Sequence, residues 1–79
     1  PSNAASTLQL NFTTENQDQV NISVFDINGH KLWNINKSYL FATLESYNLP
    51  LHQLGLSPGV YIIKIQGSTW SGIEKLIIN

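Results

Sequence analysis

Apolar and polar residues alternate over short stretches along most of the chain. Residues 8–12 place Leu8, Leu10 and Phe12 at every second position, and residues 20–27 begin with the same spacing. An alternation with a period of two predicts a β-strand with one face turned to a core. Further strands are predicted at residues 31–35, 39–44, 47–51, 59–66 and 73–78. About seven short strands at this spacing predict an all-β, antiparallel sandwich of two sheets.

Two turn signals stand between these strands. Asn28-Gly29 is a strong hairpin signal, because both central residues of a type I′ turn need positive φ. Pro58-Gly59 opens directly into the strand at 59–66, where proline fixes φ and glycine supplies left-handed freedom. Tyr61 follows this corner at once, so its hydroxyl is expected to bond back to the preceding connection and hold the corner.

The middle of the chain, residues 39–51, has an ambiguous pattern. Leu40, Phe41 and Leu44 would also fit one face of a helix. We prefer two short strands, because the run up to Pro50 would break a helix and proline is confined to a sheet edge or bulge. Residues 36–38 are predicted to be a turn, and residues 52–56 a tight connection that could hold one 3₁₀ turn.

Composition limits the chain to one small domain. It has 79 residues, is 42% hydrophobic and has no cysteine, so its stability must come from packing and not from disulfides. Its four lysines, absent arginines and five acids argue against nucleic-acid binding and against a polybasic membrane contact. Without a signal peptide or a transmembrane run, we expect a cytoplasmic protein or a piece of a longer chain.

The first residues form a separate unit in this interpretation. Residues 1–6 are small and polar and are expected to be a disordered lead-in, and Ser2-Asn3-Ala4 also fits the remnant of a cleaved tag. Residues 7–79 are then the folded domain.

The side chains offer no arrangement typical of catalysis. The acids are scattered, His30 and His52 stand singly beside turns, and neither a metal-ligand spacing nor a phosphate loop is present. We therefore expect no enzyme activity, no metal and no cofactor. Asp26 could be a calcium ligand, but a calcium loop needs several acids, and an Asx turn at the hairpin is favoured.

The tryptophans are candidates for ligand binding. In the strand at 31–35 either Leu32 or Trp33 faces inward. Trp70 lies in a polar loop where packing alone explains a large aromatic less well, so it could form a binding surface for a sugar or a peptide. An alternative function is therefore that of a carbohydrate- or peptide-binding module appended to a secreted enzyme. A third possible function is that of an adhesive module.

Several motifs in this order resemble a known family. Residues 56–65 (LSPGVYIIKI), residues 74–78 (EKLII) and the turn within residues 24–32 (VFDINGHKL) are similar to the C-terminal sorting domain, type A, of cargo proteins of the type IX (Por) secretion system of Bacteroidetes. The resemblance assigns a set of residues to a secretion-signal motif: Gly59, Tyr61, Lys64, Lys75, Leu76, Ile77 and Ile78. It assigns a turn motif to Asp26, Asn28 and Gly29.

This resemblance implies an immunoglobulin-like sandwich that is not an enzyme. It implies a signal attached to N-terminal cargo domains, often of virulence-associated proteins, that is handled by the translocon, an outer-membrane shuttle and a surface sortase. The location implied is the periplasm in transit and then the cell surface or the medium, where the cleaved domain is released.

The strand at 73–78 suggests how such a signal could be recognised. It is short and apolar, and an unpaired edge of that kind can pair with another strand. We expect the secretion machinery to bind this strand and the neighbouring turn. The same edge could also give an edge-paired dimer in isolation.

Overall fold

A computed structural model describes residues 7–78 as six strands and one helical turn. The predicted lead-in at residues 1–6 lies outside the described residues. The elements in chain order are β1 (Thr7–Thr13), β2 (Asp18–Asp26), β3 (Lys31–Tyr39), β4 (Leu44–Pro50), α1 (Leu51–Leu54), β5 (Gly59–Gln66) and β6 (Ser71–Ile78).

The strands form two sheets. The small sheet pairs β1 with β4, and the large sheet has the order β3-β2-β5-β6, with every neighbouring pair antiparallel. The all-β sandwich is therefore confirmed, with six strands instead of seven. No helix among the described residues is long and apolar enough to cross a membrane.

The core lies between the sheets and follows the period-two pattern. The buried apolar side chains are Leu10, Phe12, Val20, Ile22, Val24, Leu49, Tyr61, Ile63, Ile65 and Leu76. In the large sheet, the residues between these core positions point away from the small sheet. We call that side of the large sheet the outer face and the core side the inner face. Trp33 packs against the core while Leu32 is exposed, so Trp33 is the inward residue of β3.

The predicted strand at 39–44 and the predicted turn at 36–38 are both wrong. β3 continues to Tyr39, which pairs with Asp18, because β2 is long enough to extend the ladder past Lys37. Residues 40–43 then form a loop, and a single strand, β4, runs to Pro50. The loop is held by Thr14, whose backbone N–H donates to the Thr43 carbonyl at 2.8 Å and whose hydroxyl accepts from Thr43 N–H at 3.0 Å.

The predicted type I′ hairpin is also corrected. Gly29 has φ 87°, but Asn28 is not among the residues with positive φ. The Gly29 N–H donates to the Asp26 carbonyl at 3.1 Å and closes a turn around Ile27 and Asn28. This is the pattern of a type I turn followed by a positive-φ glycine. Asp26 explains why this turn type is preferred to type I′, because its carboxylate accepts hydrogen bonds from backbone N–H groups of the turn.

Candidate recognition surface

Residues of the two motifs, far apart in sequence, meet at one end of the large sheet. Asp26 of β2 pairs with Tyr61 of β5, and Tyr61 pairs in turn with Leu76 of β6. Two residue pairs further on, Gly59 lies opposite Ile78. We call this row and the β2–β3 turn beside it the motif end. The fold therefore gathers the turn motif, the start of β5 and the end of β6 into one region.

The Asp26 carboxylate organises the turn at the motif end. Its Oδ1 accepts hydrogen bonds from the backbone N–H groups of Asn28 and His30, each at 2.9 Å, and its Oδ2 lies 3.2 Å from His30 Nδ1. The backbone bond from His30 is the main reason why the pKa of Asp26 is lowered, since it stabilises the charged form. This geometry is the Asx turn that the sequence favoured over a calcium loop.

Tyr61 holds the corner that precedes β5, as the sequence predicted. Its hydroxyl donates to the Ser57 carbonyl oxygen at 2.6 Å, and its ring is buried in the core. Gly59 has φ 156°, a value that L-residues with a side chain rarely adopt. A Cβ atom at Gly59 would approach the Tyr61 ring only to 3.9 Å, so backbone conformation and not space favours glycine there.

The other motif residues divide between the two faces of the large sheet. Leu76 is buried and Ile78 packs against the core. Lys64, Lys75 and Ile77 alternate with inward residues and lie on the outer face. Lys64 pairs with Ile73, whereas Lys75 pairs with Ile62, so the two lysines occupy different rows. The outer face of β5 and β6 thus combines isoleucine and valine with lysine.

β6 is an edge of the large sheet. β5 is its hydrogen-bonded neighbour, and within the described residues no strand pairs with its other side. The β5–β6 ladder runs from Gly59–Ile78 to Gln66–Ser71 without a register shift. A long, regular edge with exposed backbone groups is the form of edge that binds a further strand.

Trp70 lies at the opposite end of the large sheet from the motif end. Its Nε1–H donates to Asp18 Oδ2 at 2.8 Å, and its ring stacks on Phe12 with the centroids 5.9 Å apart. A Cβ atom on Gly67 would come within 2.1 Å of the Trp70 ring, so the indole lies directly against this glycine. These contacts give Trp70 a packing role, and its role in ligand binding stays a prediction.

Asp18 is a structural residue that the sequence analysis did not single out. The side chain is fully buried, and its Oδ2 also accepts from Glu15 N–H at 2.8 Å while Oδ1 accepts from Ser68 N–H at 2.8 Å. The bonds from Glu15, Trp70 and Ser68 hold the pKa of this carboxyl well below its usual range. In the sequence, Asp18 is one polar residue in a polar loop, and only the fold brings its donors together.

The loop at 40–43 and the first residue of β4 present an apolar surface that sequence reasoning also missed. Leu40, Phe41 and Leu44 are 72%, 74% and 79% exposed. The predicted strand would have turned part of this stretch inward. The loop is instead fixed by its neighbour, since Ala42 N–H donates to Asn16 Oδ1 at 2.9 Å and Gln17 N–H donates to the Leu40 carbonyl at 3.0 Å.

Within residues 7–78, no group of three or more histidine, cysteine or acidic residues could hold a metal ion. The fold and the motif end define a small antiparallel β-sandwich module with an open edge strand.

Comparison with protein families identifies the module. A family model described as the secretion system C-terminal sorting domain matches residues 1–79. The chain belongs to this family, the C-terminal sorting domains of type IX secretion. Members of the family are signal domains and not catalysts, and the signal implies export of attached N-terminal cargo to the cell surface or the extracellular space. No curated protein and no solved structure matches the chain significantly.

Proposed function

We propose that residues 7–79 act as a secretion signal that the type IX machinery reads at the motif end of the large sheet. The observation that carries this proposal is the register in which Asp26, Tyr61 and Leu76 lie side by side on three strands. This row across three strands forms only on folding, and its buried Tyr61 and Leu76 position the exposed edge of β6 beside the β2–β3 turn. The signal is therefore recognised as a folded domain.

The edge of β6 is the main contact in this proposal. Backbone groups of an open edge supply hydrogen bonds that depend little on sequence, and the alternating side chains supply selectivity. On the outer face these side chains are Ile73, Lys75 and Ile77. The buried Leu76 and the Tyr61–Ser57 bond keep the edge in place.

The route follows from this mode of recognition. The domain carries its N-terminal cargo through the periplasm, and the translocon and an outer-membrane shuttle bind the folded domain at β6. A surface sortase then removes the domain. The cargo stays on the surface or enters the medium, and the cleaved domain is released.

A reporter fusion tests the proposal. The chain is fused behind a signal peptide and a fluorescent protein in a bacterium with the type IX pathway, and in the same strain without the translocon. Export of folded reporter in the first strain only is the expected result. A folded fusion that stays in the periplasm of both strains would refute the proposal. It would favour a carbohydrate- or peptide-binding module, to be tested with Trp70 variants on a glycan array.

A further inference from the structure

The free edge of β6 carries two opposite charges on opposite faces. Lys75 lies on the outer face between Ile73 and Ile77, and Glu74 lies on the inner face between Gly72 and Leu76. Both charged side chains are exposed. The one ion pair found within residues 7–78 joins His30 and Asp26, so neither charge is neutralised by a described partner.

The other edge of the large sheet is less regular. β3 pairs with β2, but the register shifts between Val24 and Phe25, which marks a bulge. Bulges twist a strand and disfavour further pairing. β6 has no such shift in its ladder with β5. Of the two edges of the large sheet, β6 is therefore the better template for an added strand.

Symmetry limits how β6 could pair with a second copy of itself. Two antiparallel free edges of a chiral chain are related by a twofold axis perpendicular to the sheet, so the outer faces of both copies lie on the same side. Residues that lie directly opposite each other must share a face. In such a dimer, Lys75 can lie opposite only residues of the outer face, and Glu74 can lie opposite only residues of the inner face.

These rules place like charges together in a symmetric dimer. The registers with the greatest overlap are centred on Lys75 or on Glu74. The first sets Lys75 against Lys75 of the second copy, and the other sets Glu74 against Glu74 of the second copy. Like charges directly opposite each other destabilise a sheet. A register centred on Ile73 or on Leu76 avoids the like-charge pairs but pairs fewer residues of the two strands.

We infer that the β6 edge is built to bind an extended segment of a different protein, antiparallel to β6, with an acidic residue opposite Lys75 and a basic residue opposite Glu74. The positions opposite Ile73, Leu76 and Ile77 are apolar. Read from its N-terminus, the partner segment has the pattern apolar, apolar, acidic, basic, apolar. Part of the inference rests on the proposed function, because the partner is then a component of the secretion machinery.

Two isomeric peptides test the charge pattern directly. TVLEKVYT places glutamate opposite Lys75 and lysine opposite Glu74, whereas TVLKEVYT exchanges these two residues. Labelled peptides are titrated with the 79-residue chain at low salt and followed by fluorescence anisotropy. We expect the first peptide to bind about tenfold more tightly, since two favourable cross-strand pairs replace two like-charge pairs. The difference shrinks at high salt because both charges are exposed.

A charge-exchanged chain is the matched control. The double variant Glu74→Lys and Lys75→Glu keeps the net charge and the composition, and both side chains are exposed, so the fold is retained. Its peptide preference is expected to invert towards TVLKEVYT. Circular dichroism and the melting temperature verify folding. Equal affinity for the two peptides, a preference that survives the exchange, or no binding by a folded chain would each overturn the inference.

Export separates this inference from the proposed function. The unaltered chain is expected to export a fused reporter, and the folded double variant is expected to export much less. Equal export of both would show a working signal and overturn the charge pattern alone. If the unaltered chain exports nothing, the proposed function fails, while the peptide titration still decides whether the edge selects its partner strand by charge.

Discussion

The hydroxyl of Tyr61 donates a 2.6 Å hydrogen bond to the carbonyl oxygen of Ser57. This bond joins the connection that precedes β5 to the start of β5, and the Tyr61 ring fills part of the core beside it. A residue of the secretion motif is thus also a residue that fixes the fold. Loss of export in a Tyr61 variant can only be interpreted when folding is measured in the same variant.

Tyr61→Phe separates these two roles. The ring is kept and the hydroxyl is lost, so the free energy of unfolding should fall by about 1 kcal/mol. For a domain of this size that lowers the melting temperature by about 4–8 °C. Thermal denaturation checks the value. If the Tyr61–Ser57 hydrogen bond is purely structural, the folded variant exports as much reporter as the unaltered chain at a temperature where both are folded. A large export defect at that temperature would show that the machinery recognises the Tyr61 hydroxyl directly.

Gly59→Ala and Gly72→Ala form a matched pair on the facing strands β5 and β6. Alanine at Gly59 meets ordinary contacts but must adopt φ 156°, so we expect destabilisation of about 1–3 kcal/mol from backbone strain. At Gly72 a Cβ atom meets no atom within 4 Å and φ is unrestrictive, so the change should be neutral or stabilising by up to about 1 kcal/mol. Urea denaturation of both variants measures the difference. An equal loss of unfolding free energy in the two variants would refute the conformational explanation for Gly59.

Asp18→Asn probes the buried carboxylate through pH. The hydrogen bond from Glu15 N–H, with those from Trp70 and Ser68, lowers the pKa of Asp18 below its ordinary value of 3.8. A lowered pKa stabilises the folded state above that ordinary value, and this stability is lost as the pH falls through the folded-state pKa. The melting temperature of the unaltered chain should therefore drop as the pH falls below about 4.

The Asp18→Asn variant should melt lower at pH 7 and lose less on acidification. Asp26 has a lowered pKa as well, so some acid sensitivity remains in the variant. Melting curves across this pH range decide the point. Parallel pH profiles for the variant and the unaltered chain would mean that Asp18 does not contribute charge-dependent stability.

Thr14→Val tests the anchoring of the exposed loop at 40–43. Thr14 is buried, and its hydroxyl donates to the Phe41 carbonyl at 3.2 Å and accepts from Thr43 N–H. Valine has nearly the same shape but leaves these groups unpaired, which should cost about 1–3 kcal/mol. Hydrogen exchange of the Thr43 amide should accelerate. Thr13→Val, at the exposed neighbouring position, is the control and should leave that exchange rate unchanged.

The sequence predicted those features of the fold that depend on local pattern. Strands β1 and β2 follow from alternation over a few residues, and β5 follows from a run of β-branched and aromatic residues. The bond from the Tyr61 hydroxyl follows from the distance of Tyr61 to the Pro58-Gly59 corner. The loop at 40–43 could not be predicted in this way, because its partner Thr14 lies far away in sequence. The turn type at Gly29 was missed because the Asp26 carboxylate, and not the Asn-Gly pair, selects it.

The candidate site shows the same division. The family motifs predicted its residues, but not that Asp26, Tyr61 and Leu76 lie in one row across three strands, which depends on the register of the large sheet. The buried Asp18 carried no local signal, because its three donors come from two separate loops. Trp70 stood out in the sequence as an aromatic in a polar loop, and Asp18 and Phe12 supply the packing that the loop sequence could not indicate.

The most direct test compares two single substitutions at exposed apolar positions. Ile77→Asn changes the outer face of β6 at the motif end, where the side chain is 58% exposed, and Leu44→Asn changes an exposed residue of the small sheet. Export of a fused fluorescent reporter is measured in cells with and without the translocon, and folding of both variants is verified by circular dichroism. We predict that Ile77→Asn abolishes translocon-dependent export while Leu44→Asn retains it. Full export of a folded Ile77→Asn fusion would contradict the claim that the machinery reads the β6 edge.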